Sequence, residues 1–195
     1  MDGSRLTRQS ISHRARARRY DRRMLTIRPG PDEYGGFYGG YIARIGDGEW
    51  LARLEQQPDE YRVLLAGLDE ARAAAPTAPG KWSVTDILGH VCDTERVFGF
   101  RLIWFARGAP SELPGFDQDA WVEAARRQPR TLADSLDELA KVRQATLAML
   151  HTVSDEDALR RGVANGNPIT VRACGWMIAG HAQHHLDGLR ELRLG

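Results

Sequence analysis

Three of the six histidines fall within five positions near the C-terminal end, in Gly180-His181-Ala182-Gln183-His184-His185. On a helix, successive residues turn by about 100°, so His181 and His185 lie about 40° apart, one turn above the other. That spacing lets two imidazoles reach one ion, as in helical H-x-x-x-H zinc sites. Both align with Ile178, Leu189 and Leu192, whereas His184 sits on the flank of this apolar stripe. Two imidazoles do not complete a site, so a third ligand is needed from another helix facing the same core. His90 meets that need, between Ile87, Val91 and Val97 on an otherwise apolar face. His13 falls in an arginine-rich segment, and His151 falls near the exposed end of another helix. Three neutral imidazoles on one side of a divalent ion leave positions open, the pattern of catalytic rather than structural sites. Such an ion acidifies a bound water or holds a thiol as its thiolate. Imidazole suits Zn, Ni and Fe alike.

A single His on an apolar face is more often a hydrogen-bonded core residue than a ligand, and paired histidines also occur on solvated helix faces. It is the combination, a pair and a single all facing one core, that favours metal.

The elements that must position these side chains read as helices. Residues 25 to 47 are rich in Gly, Pro and Tyr, with a short helix expected around 37 to 45. A first long helix is expected over about residues 49 to 74, kinked or split at Pro58, which lacks an N–H and crowds the preceding turn. The second begins after Ser83, an N-cap with Asp86 three residues on, and stops at Gly108. A loop with Pro110, Pro114 and Pro129 follows. Thr131 and Asp134 start a third helix reaching about residue 153, with Leu132, Leu136, Leu139, Leu147 and Leu150 inward. After a turn-rich stretch over 154 to 168, a fourth helix spans about 171 to 192. No strand-like alternation of useful length occurs. The expected fold is all-α, a four-helix bundle.

The whole chain carries +1, but residues 1 to 23 hold eight Arg against Asp2 and Asp21, a local +6 that leaves −5 for the remainder. The arginine run has no apolar periodicity, and Met24 follows it as an alternative start, so residues 1 to 23 read as an extension and 24 to 195 as one domain. The mildly acidic remainder argues against nucleic acid as the main ligand. No run approaches the roughly 18 apolar residues of a membrane span. Cys92 and Cys174 sit in apolar helical patterns as small hydrophobes, and a cytoplasmic location is expected.

The ordered segments Ala78-Pro79-Gly80-Lys81-Trp82-Ser83, Asp93-Thr94-Glu95-Arg96, Ala106-Arg107-Gly108, Leu113 to Trp121, Ala164-Asn165-Gly166 and Thr170 to Ala173, followed by the GHxxHH helix, resemble the DinB/YfiT-like superfamily. The resemblance runs from about residue 29 to the C-terminus. It implies a four-helix bundle holding one divalent metal ion with His90, His181 and His185, the same set that helix geometry selects. Close relatives often carry Glu where this chain has Ala182, so a role for that carboxylate is lost here. The resemblance further implies an enzyme acting on a small-molecule substrate, either as a transferase activating a low-molecular-weight thiol or as a hydrolase activating water. It also allows a homodimer through helix faces. The alternative is a non-catalytic metal-binding or stress-response protein with a structural or vestigial site. No general base is singled out: Asp93 and Glu95 read equally well as surface charges paired with Arg96 or Arg101, and Asp117 and Asp119 as caps of a short helix near Ala120.

Overall fold

The computed structural model describes residues 23 to 192. All but the last residue of the arginine-rich segment therefore lies outside the described residues. Arg23 opens α1 (Arg23–Thr26), and short 3-10 turns lead to α2 (Gly39–Ile42). Next come α3 (Trp50–Leu64), α4 (Glu70–Ala74), α5 (Val84–Ala106), α6 (Gln118–Ala125), α7 (Leu132–Leu150) and α8 (Asp155–Ala158). Strands β1 (Arg161–Ala164) and β2 (Asn167–Thr170) then lead into α9 (Val171–Glu191). The four long helices form a bundle: α5 packs on α7 and α9, and α3 packs on the same two from the opposite corner.

The helix ends follow from local chemistry. Ser83 Oγ accepts from Asp86 N while the Asp86 carboxylate accepts from Ser83 N, a reciprocal capping box that starts α5. At its other end Gly108 takes a positive φ of 76°, and Ala109 N–H reaches back to the Trp104 carbonyl at 3.2 Å. That Schellman closure needs a left-handed residue, which glycine supplies without a Cβ clash. Thr131 and Thr170 cap α7 and α9 more simply, their hydroxyls accepting from the backbone N–H groups of Asp134 and Ala173.

Three expectations need correction. The first helix does not reach residue 74: α3 runs through Pro58, ends at Leu64, and α4 forms separately after a turn containing Gly67 at φ 85°. Pro58 leaves the Leu54 carbonyl without its helical donor, and Arg143 from α7 takes that place at 2.5 Å. The stretch over 154 to 168 is more than turns, because it holds α8 and most of an antiparallel hairpin pairing Arg161 with Thr170 and Ala164 with Asn167. Asn165 and Gly166 turn it with φ of 53° and 68°, the two positive values of a type I′ turn. Finally, Glu95 is no surface charge. It is 3% exposed and paired in bidentate fashion with Arg143, both contacts at 2.9 Å.

The core has two apolar parts. One gathers Leu25, Trp50, Leu54, Phe98, Leu102 and Trp176, and the other Tyr61, Leu65, Leu88, Val91, Leu136 and Leu186. Along α3, α5 and α7 the residues between these parts are polar and buried: Gln57, Thr94, Glu95, Arg143 and Thr146. Arg143 Nη1 also donates to Gln57 Oε1 at 3.1 Å, and Gln57 Nε2 donates to the Ala179 carbonyl of α9 at 2.9 Å. Both cysteines are buried, their thiols pushed up to about 12 by the loss of water.

Removing one partner of a buried ion pair strands the other charge. Arg143→Ala is therefore expected to cost about 3–5 kcal/mol of stability in urea unfolding. The double variant Arg143→Met/Glu95→Leu removes both charges and should lose less than Arg143→Ala alone. Equal losses would show that the pair does not carry the layer.

Candidate metal centre

His90 lies on α5, and His181 and His185 lie one turn apart on α9, the helix packed against it. The structure brings all three to one point. Nε2 of His181 stands 3.0 Å from Nε2 of His90 and 3.2 Å from Nε2 of His185. Ligand atoms of the three all lie within 4.8 Å of one another, the one such grouping of His, Cys, Asp or Glu among the described residues. His184 is outside this grouping although its ring lies 4.9 Å from that of His185 and 5.3 Å from that of Tyr41, and His151 is exposed at the end of α7.

Several contacts hold α9 in the rotation that this convergence requires. Tyr61 Oη donates to the Ala182 carbonyl at 2.7 Å, and Gln57 holds Ala179, so α3 pins one side of the helix. Ala182 itself is buried in the second apolar cluster. On another side α2 comes so close that a Cβ on Gly180 would run into the Tyr41 backbone. That approach sets the Tyr41 ring 5.4 Å from His181, while Trp82, just before the α5 cap, lies 4.8 Å from His90. Neither aromatic was singled out by sequence reasoning. For Trp82 the signal was its place next to the N-cap, and for Tyr41 there was none.

Burial sets the protonation. His90 and His181 are 4% and 5% exposed. Desolvation holds His90 at about 4, with Asp119 opposing the shift. It holds His185 at about 3, helped by His90, and drives His181 well below its ordinary range, helped by His185 and His90. All three are thus neutral at pH 7, as metal ligands must be. Protons alone satisfy the cluster poorly, because three ring nitrogens face one another with no carboxylate among them. The donor set fits a small divalent ion instead, since nitrogens bound tetrahedrally at about 2.0–2.1 Å are about 3.3 Å apart.

Two hollows meet at His90. The larger, about 610 Å³, runs past Trp82, Lys81, Asp119, Arg126 and Arg130. The smaller, about 160 Å³, reaches both His90 and His181 and continues past Tyr41, Thr94 and Arg101. Arg126 clamps Asp86 of the α5 cap at 2.8 Å and so seats α6 over the larger hollow. Asp117 caps α6, accepting from Asp119 and Ala120. The outer wall of the smaller hollow, Gly115 and Phe116, is tied to the hairpin: Leu113 N–H donates to the Val163 carbonyl, and the Leu113 carbonyl accepts from Asn165.

A family model for the DinB superfamily matches residues 53–187, more than half of the sequence. The chain belongs to the DinB superfamily. It is 23% identical over 149 residues to a protein of Geobacillus thermodenitrificans named "putative metal-dependent hydrolase", across 74% of this chain and 83% of that one. A relative from Geobacillus kaustophilus with the same description is 24% identical over the same shares. Among solved structures it resembles YfiT from Bacillus subtilis, described as "a probable metal-dependent hydrolase with an unusual four-helix bundle topology". The TM-score is 0.66 at 20% identity, covering 74% of this DinB protein and 83% of the other, so the shared feature is the fold.

The lowered imidazole values give a pH window. On acidification the unfolded histidines take up protons near 6.5, while buried His90 and half-buried His185 resist until about 4 and 3. The unfolded state then binds more protons, so stability is full above about 6.5 and falls as pH drops toward the folded values. In metal-free protein the urea midpoint should be lower at pH 5 than at pH 7, and the difference should shrink in His90→Gln/His185→Gln. An unchanged midpoint would refute the burial argument.

Proposed function

We propose that His90, His181 and His185 hold one divalent metal ion and that this DinB protein is a metal-dependent hydrolase acting on a small molecule. The observation that carries the reading is the convergence of three neutral Nε2 atoms, two gaps of 3.0 and 3.2 Å, at the junction of two hollows. The ion, when bound, supplies Lewis acidity and a nucleophile at neutral pH. The chain supplies the rest. Buried imidazoles stay unprotonated, Trp82 and Tyr41 confine the rings, and the apolar packing behind α9 keeps water on the hollow side. The opening toward His90 also favours catalysis over the alternative of a purely structural ion, which would be closed by four protein ligands.

The larger hollow supports a second reading, transfer of a low-molecular-weight thiol. It offers room beside His90 for a thiol carrying a peptide-sized body, lined by both basic and acidic side chains. A thiol acidified by a divalent ion on the histidines would pass its proton to solvent, which suits a site where no carboxylate joins the histidines among the described residues.

His90→Ala, His181→Ala and His185→Ala are each expected to abolish stoichiometric metal uptake, measured by elemental analysis, whereas His184→Ala and His151→Ala retain it. Hydrolysis or thiol transfer across a substrate panel should vanish on chelation and return with Zn, Ni or Fe. Chelation should lower the thermal midpoint without unfolding the chain, because the bundle keeps its apolar core. Activity that persists after verified metal removal would overturn the proposal. Complete unfolding on chelation would favour a structural ion.

A further inference from the structure

Arg101 lies eleven residues beyond His90 on α5, three full turns within about 20°, so the two share a face. The Cα–Cβ bonds of a helix lean toward its N-terminus, which aims the Arg101 side chain back along α5. Its guanidinium accordingly sits 5.0 Å from the Phe98 ring, in the smaller hollow that His90 and His181 also line. The residue is 2% exposed. One Nη donates to the Pro114 carbonyl at 2.9 Å, but Nε has no partner, and Arg101 has no carboxylate partner among the described residues. Cys174, close enough to feel its charge, is held neutral because burial pushes its thiol up to about 12. Thr94 Oγ1, between His90 and Arg101 on the same face, is likewise buried without a partner.

A buried charge without a counter-charge is costly, and so is each unpaired buried donor. Evolved cores keep such groups paired, and among the described residues the hollow's lining contains no Asp or Glu. The larger hollow differs: its Lys81, Arg126 and Arg130 are accompanied by Asp86, Asp93, Asp119 and Glu123. We infer that the smaller hollow takes a small organic carboxylate, whose acid group pairs with the Arg101 guanidinium and Thr94 hydroxyl while its other end reaches the histidines. Arginine suits this role, because its planar fork matches a carboxylate in two-point fashion. The volume of about 160 Å³ limits the enclosed part to a short chain. The inference rests on the metal-dependent reading for what happens at the histidine end, but not for the anion site itself.

The test titrates the full chain, Co2+-loaded and metal-free, with butanoate and with its uncharged analogue butanamide, by calorimetry. Butanoate should bind, and butanamide should bind at least about tenfold more weakly, the scale of one lost charge-assisted contact. Arg101→Gln should lose butanoate binding by a similar factor, with Arg101→Lys in between, while Co2+ stoichiometry and the Co2+ absorption spectrum of the unliganded protein stay as in the wild type. If Arg101→Gln does not fold, the comparison of carboxylate with amide on the wild type decides alone. Equal binding of the two probes, or no butanoate binding, overturns the proposal. Butanoate binding that survives Arg101→Gln but requires Co2+ also overturns it, by putting the acid on the metal. Protein that takes up no Co2+ yet selects butanoate through Arg101 sustains the anion site and refutes the metal reading.

Discussion

The buried contact between Arg143 and Glu95 is the constraint around which this bundle is assembled. Two charges removed from water are tolerated only when their remaining donors and acceptors are also satisfied. Here the guanidinium gives two bonds to Glu95 of α5, one to the Leu54 carbonyl and one to Gln57 of α3. Gln57 in turn holds the Ala179 carbonyl of α9. All four long helices are thereby joined at one level. The Leu54 carbonyl is open to Arg143 because Pro58 offers it no N–H, so a residue that weakens an isolated helix becomes part of the tertiary link.

The histidines stand at the edge of this same level. Glu95 is five residues beyond His90, and Ala179 is two before His181. A helix displaced along its axis would leave Arg143 facing leucine and would also separate Nε2 atoms that now lie 3.0 Å apart. Polar layers are known to fix register in helical bundles. In this protein the register so fixed is the one the histidine cluster requires.

Much of this was legible in the residues. Ser83, Thr131 and Gly108 marked helix ends through chemistry local to a few positions, and the i, i+4 spacing of His181 and His185 needed only helix geometry. What escaped depended on partners distant in sequence. Glu95 reads as one more surface charge until Arg143, 48 residues on, is seen beside it. Pro58 looks like a break until the same arginine caps the carbonyl that it frees. The hairpin lacks alternation because Gly162 lies against the Phe105 ring, leaving no room for a side chain. Its Asn165-Gly166 turn was nevertheless a local signal of the kind that specifies hairpins. Arg101 carried a signal too, a charged residue in register with His90 within the apolar run of Phe98, Leu102 and Phe105.

The histidines and the wall facing them belong to different parts of the chain. The ligand candidates sit on long helices whose faces are committed to the core. Gly115 and Phe116, by contrast, sit on a loop strapped to a hairpin by backbone hydrogen bonds of Leu113, which residues other than proline can make at that position. Substitutions in that strap can reshape what enters while the helices keep their packing. Divergence among relatives therefore has a place to act: selectivity can drift on the loop and hairpin while the histidine centre stays anchored to the bundle.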